Sequence, residues 1–280
     1  MNICLIMDNP ATSHHPVIGI ALQKLREKHN VRLLDVRTLT GKEALAQEQT
    51  HLQANLYLLK SHMPQALDVA HYLEQCGALV LNSWASSVAC QDRVLMSERM
   101  SKASLPYPHT QYFLSLENLL AQSSILSTLA FPLMIKSRYS RRGDLVSRSN
   151  SLEELQSLAL QWDKEPVIIQ DFATGDGWDI KLWVIGQQIF AARRRTPLMS
   201  DVSKEDIPLA PEELSEDWIR LTLAIGRLFD LHLYGVDLLI SERGPIIVDV
   251  NSFPGFRGVP GADDALVNLI ERFLGCFRSK

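Results

Sequence analysis

The sequence predicts a mixed α/β and α+β protein of three lobes, and three observations carry that expectation. Over residues 1–84, short apolar runs alternate with stretches of helical periodicity. Over 85–165, a helix, a strand, a basic polar loop and a return strand follow one another. From 166 to 280 the apolar runs come in pairs joined by glycine-containing turns. Alternating strands and helices imply an open parallel sheet, and paired strands with tight turns imply an antiparallel one.

The first lobe opens with the strand NICLIM (2–7), followed by helical apolar spacing over 17–29 and the strand VRLLDV (31–36). LYLLKS (56–61) is a third strand, 65–76 a helix ended by Gly77, and ALVLN (78–82) a fourth strand. The central lobe starts with a helix over 85–103 that LPYP breaks. SLENLLAQ (115–122) is a short helix and FPLMIKS (131–137) a strand. RYSRRGD (138–144) is an irregular loop and LVSRS (145–149) the return strand. Asn150 with Glu153, or Ser151 with Glu154, suits an N-cap for a helix over 151–162.

The last lobe begins with the strand PVIIQDF (166–172). A hairpin follows over 179–195, turning at Gly186-Gln187, and then an amphipathic helix over 211–230. A second hairpin joins YGVDLLI (234–240) to PIIVDVN (245–251). The closing helix, 262–275, carries Asp263 and Asp264 in its first turn, where the helix dipole favours them.

Composition narrows the class. A chain of 280 residues with 46% apolar content builds a full core. A formal net charge of −4 gives no global basic field, so neither nucleic acid nor an acidic membrane is expected as a partner. Cys4, Cys76, Cys90 and Cys276 are dispersed, which argues against zinc and disulfides and for a reducing compartment. No run approaches the roughly 20 apolar residues of a membrane span, and the N-terminus lacks the form of a signal peptide. The expected location is cytoplasmic.

The chemistry concentrates in the second hairpin. Read with Glu242-Arg243-Gly244 as a three-residue loop, residue 241 opposes 245 and Asp237 opposes Asp249. Asp249 and Asn251 share a face because strand side chains alternate. Facing carboxylates repel, and a cluster of hard oxygens suits Mg²⁺, although a structural pairing with arginines answers the same geometry. Lys136 ends an apolar strand, as either a phosphate partner or a snorkelling side chain. The stretch 167–172 can offer backbone groups to an adenine ring and Asp171 to a ribose. Arg193, Arg194 and Arg195 end a strand, with Arg193 and Arg195 on one face and Arg194 on the other. Which face meets Asp179 depends on hairpin register.

Taken in order, these pieces resemble the ATP-grasp superfamily, and within it the RimK-type glutamate ligases. PLMIKS resembles the phosphate-binding lysine strand, IIQDF…DIK the adenine strand, AARRR the arginine strand, and GVDLL…GPIIVDVNSFPG the metal hairpin. The resemblance implies two α+β lobes clamping ATP behind the N-terminal α/β lobe. It implies Arg93, Lys136, Gln170, Asp171, Phe172 and Asp179 as ATP-binding residues. Asp237, Asp249 and Asn251 become metal ligands, and Arg195 the catalytic arginine. Arg193 and Arg257 are candidates for the substrate. The implied cofactors are ATP and two Mg²⁺ ions, with Mn²⁺ as a substitute.

The sequence also departs from the family pattern. Arg93 stands where a lysine is usual, Asp249 where a glutamate is usual, and SRYSRRGD where the phosphate-covering loop is usually glycine-rich. TPLMSDVSKEDIP replaces a family stretch, and RRRTPL and DVNSFPGFRGVPG are similar to the ATP-grasp inositol-phosphate kinases. Two activities therefore compete: a carboxylate–amine ligase working through an acyl phosphate, and a kinase acting on a polyol hydroxyl. A nucleotide-binding protein without turnover is a third reading. The acceptor, carboxylate or hydroxyl, is unidentified, and a homo-oligomer is compatible with the sequence. Loop 137–144, with its mutually repelling arginines, is expected to be mobile and to close over the phosphates.

Overall fold

The computed structural model describes residues 1–39, 53–141, 143–162, 164–195 and 206–278. Arg142, the side chain of Cys276 and most of the stretch 196–208 lie outside the described residues. Among the described residues no helix is long and apolar enough to cross a membrane.

The first sheet is parallel, in the order β2-β1-β3-β4: β1 Asn2–Met7, β2 Asn30–Asp35, β3 Leu56–Lys60 and β4 Val80–Leu81. Its central strand is apolar at nearly every position because both faces are covered. Ile3, Leu5 and Met7 pack with helices Ile18–Arg26 and Ala262–Arg278, while Cys4 and Ile6 pack with helix Pro64–Gln75. Lys24 reaches Asp263 and Asp264, each at 2.6 Å, and ties the closing helix to this lobe.

The helix expected over 85–103 is two helices, Trp84–Gln91 and Arg93–Lys102. The break falls at Asp92, whose carboxylate accepts from the Val94 N–H at 3.0 Å and caps the second helix. The next sheet is antiparallel, in the order β5-β8-β6-β7: β5 Thr110–Phe113, β6 Leu133–Ser137, β7 Val146–Ser149 and β8 Val167–Asp171. The boundary expected after residue 165 therefore cuts through this sheet. β8 lies inside it, between β5 and β6, and the chain crosses to the next sheet along Phe172–Gly177. Helix Leu152–Trp162 starts on the second of the two capping alternatives: Ser151 Oγ accepts from the Glu154 N–H.

The third sheet has the order β11-β10-β9-β12-β13: β9 Trp178–Ile185, β10 Gln188–Arg195, β11 Ile207–Leu209, β12 Leu233–Ser241 and β13 Gly244–Asn251. All its pairings are antiparallel. One face, with Ile180, Leu182, Val184, Val236 and Leu238, packs against helix Glu216–Phe229. The opposite face is divided along its length. Trp183, Ile185 and Leu233 join the core shared with the first sheet, whereas Asp179, Lys181 and Asp237, at the other end, are left polar.

Candidate functional site

A cleft of about 750 Å³ lies between the central sheet and the polar end of the third sheet. Strand pairing orders its walls. On the central sheet Arg148, Met134 and Gln170 stand opposite one another on β7, β6 and β8, and Val146 and Lys136 form the next row. On the facing sheet Leu239 pairs with Ile246, and two residues further on Asp237 pairs with Asp249. All of these residues line the cleft. It thus has an apolar end, with Met134, Leu239 and Ile246, and a charged end, with Lys136, Asp237 and Asp249.

The acidic pair forms as expected, but by a different route. The hairpin loop has two residues, because Ser241 opposes Gly244 rather than Pro245. That register alone would misplace the carboxylates. A bulge on β13 inserts Val248 between Ile247, which opposes Leu238, and Asp249, which opposes Asp237. The extra residue restores the facing pair.

Cations surround that pair. Lys181 Nζ is 3.2 Å from Asp237 Oδ1, and Arg93 Nη2 is 3.7 Å from Asp249 Oδ2. Burial raises the Asp237 carboxyl above its ordinary range, while Lys181 pulls it down. Arg93 is buried, donates to the Ser137 carbonyl at 2.8 Å, and pairs with Asp144 at 2.8 Å. Lys136 is buried as well, with Nζ 3.2 Å from the Val248 carbonyl oxygen, and burial lowers its ammonium to about 8 against the pull of Asp249.

Asp249 Oδ1 is buried and has no hydrogen-bond partner. That orphaned oxygen, facing a second carboxylate, fits a divalent cation that takes one or two carboxylates and completes its shell with water and phosphate. Asn251 is two residues on, and its Oδ1 already accepts from the Phe253 N–H at 2.9 Å, with lone-pair capacity to spare. Among the described residues no group of three or more His, Cys, Asp or Glu side chains could form an all-protein cage.

The expected hinge also lines the cleft. Gln170 is buried, with Nε2 donating to Thr110 Oγ1 at 2.9 Å, and Asp171 is exposed at the strand end. Phe172 lies under the Arg148 guanidinium. Gly175 is required by contact: a Cβ there would stand 2.8 Å from Leu239 Cγ.

The arginine strand needs a correction. Arg194, not Arg195, opposes Asp179, so Arg194 shares the cleft face with Asp179, Lys181 and Asp237. It pairs with Asp206 at 2.7 Å and feels the charges of Asp237 and Asp179. Arg195 and Arg193 are exposed on the other face, with guanidinium carbons 4.0 and 5.0 Å from the Trp178 ring centroid. Sequence alternation separated these faces but could not choose between them. Arg148, Asp144 and Lys181 were not singled out as site residues. For Arg148 a signal existed: a cation in the return strand beside the Lys136 strand.

The segment after Asn251 runs across the C-terminal edge of the parallel sheet. Asn82, just beyond β4, donates to the Ser252 carbonyl, and Lys60, at the end of β3, donates to the Phe253 carbonyl at 2.6 Å. His15, in the connection after β1, packs on Gly255, where a Cβ would stand 3.1 Å from its Nε2. His15 Nδ1 accepts from the Val17 N–H at 3.2 Å, so Nε2 carries the proton of the neutral ring. Arg257 is exposed beside His15, and Lys60 and Arg257 both add to its positive surroundings.

The loop 137–144 is anchored along the part described. Arg138 binds Asp92 through Nε and Nη2, Arg141 binds Glu165 at 2.9 Å, and the Ser140 N–H donates to the Gln91 carbonyl at 2.8 Å. Acidic partners and backbone hydrogen bonds hold a stretch expected to be mobile for its polar composition and few apolar anchors, and they offset the repulsion that a triphosphate was expected to relieve.

Residues 90–271 match the family model of the RimK-like ATP-grasp domain. A protein of Parasynechococcus marenigrum (strain WH8102) named "Probable alpha-L-glutamate ligase" is 27% identical over 228 residues, 76% of this chain and 47% of that protein. A protein of the same name from Chromohalobacter salexigens is 28% identical over 205 residues, 69% of this chain and 66% of that one. The chain thus spans about half to two thirds of the length of the curated relatives it matches. In fold it is similar to a RimK-domain ATP-grasp protein of Sphaerobacter thermophilus, with a TM-score of 0.72 and 17% identity over 97% of this chain and all of that one. It is also similar to D-alanine–D-alanine ligase of Bacillus anthracis complexed with ATP, with a TM-score of 0.73 and 20% identity over 98% of this chain and 96% of that one.

Proposed function

Because the chain belongs to the RimK-like ATP-grasp family, we propose that it is an ATP- and Mg²⁺-dependent carboxylate–amine ligase. The observation that carries the reading is the Asp237–Asp249 pair facing Lys136 across a cleft with one apolar and one charged end. The apolar end accepts an adenine and the charged end a triphosphate. The γ-phosphoryl group passes to a substrate carboxylate with release of ADP. An amine then attacks the acyl phosphate, forming the amide and releasing phosphate.

The chain's part is to position and to neutralise. Lys136 and Arg93 hold phosphate oxygens, and Gln170, Asp171 and Phe172 hold the base and ribose. Arg194 takes the role first given to Arg195, stabilising charge on the transferring group. Asp237, Asp249 and Asn251 hold Mg²⁺, which neutralises phosphate charge when bound. Two ions fit this ligand set, with Mn²⁺ as a substitute of similar oxygen preference. The acceptor lies beyond the γ-phosphate, beside the 251–257 segment, where Lys60 and Arg257 gather positive charge around a neutral His15.

The ligase names of the relatives support amide formation, and the relatives described give the hydroxyl-kinase alternative no support. The test is product analysis after incubation with MgATP and pooled amino acids, short peptides and polyols. The expected products are ADP, free phosphate and a new amide mass. A phosphate ester without free phosphate would make the protein a kinase, and ATP binding without turnover would make it a binding protein.

A further inference from the structure

The nucleotide site proposed above leaves the cleft residue Arg148 without a role. Arg148 stands on β7, opposite Met134, which in turn stands opposite Gln170. All three line the cleft. The guanidinium carbon of Arg148 is 4.2 Å from the centroid of the Phe172 ring, and its Nε is buried with no hydrogen-bond partner.

A guanidinium over an aromatic ring is held there by the ring's negative face, which leaves its edge N–H groups to meet an acceptor. Arginine only donates, so a cleft-lining guanidinium whose Nε finds no protein partner calls for an acceptor in the cleft. The position along the cleft says which part of a nucleotide supplies it. Lys136 is two residues along β6 from Met134, and the acidic pair is two residues along the facing strands from Leu239 and Ile246. Two strand residues span about 6.5–7 Å. Arg148 therefore belongs to the row one step away from the phosphates, among Met134, Leu239 and Ile246. Those apolar walls suit a flat neutral ring, and a purine presents ring nitrogens as acceptors at its edge.

We propose that Arg148 is a specificity-determining residue for the nucleobase: held over the Phe172 ring, it donates to a ring nitrogen of the purine. This rests on the ATP-dependent reading above. A donor-only side chain cannot serve the exocyclic amine of adenine, so it selects for an unprotonated ring nitrogen, and replacing that nitrogen by C–H removes the contact.

The test is calorimetric binding of MgATP and the Mg²⁺ complexes of 1-deaza-, 3-deaza- and 7-deaza-ATP to the full chain and to Arg148→Met. Wild type is expected to bind one of the three analogues about 10-fold or more weakly than ATP, the loss of a charged hydrogen bond. Arg148→Met is expected to bind ATP about 10-fold more weakly and to lose that one discrimination, as a double-mutant cycle requires. The analogue series in wild type needs no variant, so a folding defect in Arg148→Met cannot hide the answer. Equal affinity of wild type for ATP and all three analogues overturns the proposal. So does a pattern of discrimination among the three analogues that is unchanged in Arg148→Met, and so does a uniform loss in that variant across ATP and the analogues. A chain that binds no ATP fails both this proposal and the ligase reading. A chain that discriminates among the analogues but makes no amide fails the ligase reading alone.

Discussion

Lys136 donates across the cleft to the carbonyl oxygen of Val248, at 3.2 Å, and Val248 is the residue whose insertion brings Asp249 opposite Asp237. One bulge therefore sets the acidic pair and also supplies the acceptor for the buried cation. The central and third sheets meet at this point.

With Lys136 holding the triphosphate as proposed, its lowered ammonium should give ATP binding a pH dependence. Its pKa falls from the ordinary 10.5 to about 8, chiefly through burial. A triphosphate binds the protonated form. Below pH 8 binding needs no extra proton; above it each binding event takes one up, and affinity falls about tenfold per pH unit. The sign for folding is different. The unfolded chain holds this proton up to 10.5, so this group's contribution to stability rises with pH between about 8 and 10.5. Lys136→Met should flatten both dependences and weaken ATP binding at pH 7 by about 1.5–3 kcal/mol. Calorimetry from pH 7 to 9.5, in buffers of different ionisation heat, measures the proton uptake. A flat affinity across that range would remove Lys136 from the phosphate site.

Asp237→Asn should separate stability from activity. The substitution ends a like-charge pairing across the hairpin worth roughly 0.2–1 kcal/mol. It also removes a carboxyl that burial raises above its ordinary range. A raised carboxyl pKa costs stability as pH rises from the unfolded value through the folded one, so the cost grows across that window and Asn relieves it. In EDTA the urea midpoint should rise, and Mg²⁺-dependent turnover should be lost. A variant no more stable than wild type in EDTA that still gains stability from Mg²⁺ would place the metal elsewhere.

Arg194 and Arg195 should differ sharply. Arg194 shares the cleft face with Asp179 and Asp237, whereas Arg195 stacks on Trp178 on the other side. Arg194→Ala should lower kcat by about 10²–10³, the scale for losing one donor to developing charge. Arg195→Ala should stay within a few-fold. Removing Arg194 also strands Asp206, so thermal unfolding of each variant must accompany the kinetics. A larger loss of kcat in Arg195→Ala would refute the face assignment.

Much of this was legible in the sequence because it rests on local periodicity. The strand–helix alternation of residues 1–84 and the two hairpins follow from apolar spacing and glycine placement. Lys136, Asp237 and Asp249 stood out as charges in apolar strands. What stayed hidden depends on single-residue offsets. The bulge at Val248 and the register that selects Arg194 are both one-residue matters, and alternation cannot count them without the partner strand. The break at Asp92 was hidden for another reason: its carboxylate serves Val94 and Arg138 together, and the second of these is distant in sequence. The role of β8 was hidden likewise, since an apolar strand does not announce which sheet it will join.

The anchored loop gives the last prediction. Its sequence promised motion, since Arg138, Arg141 and Arg142 crowd one short polar stretch. The described contacts point the other way. Arg138 meets Asp92 at 2.6 Å with the carboxylate side chain 8% exposed, so this pair is largely withdrawn from water. The Arg138 N–H donates to the Pro166 carbonyl, the Arg93 N–H to the Arg138 carbonyl, and the Ser140 N–H to the Gln91 carbonyl. Amides 138 and 140 should therefore exchange slowly with and without MgATP. Asp92→Asn keeps the helix cap but weakens the ion pair. It should cost about 1–3 kcal/mol, less than a fully buried pair because the arginine is partly exposed, and it should speed exchange at both amides. Fast exchange at 138 and 140 in the nucleotide-free wild type, slowed by MgATP, would instead establish the moving lid that the sequence implied.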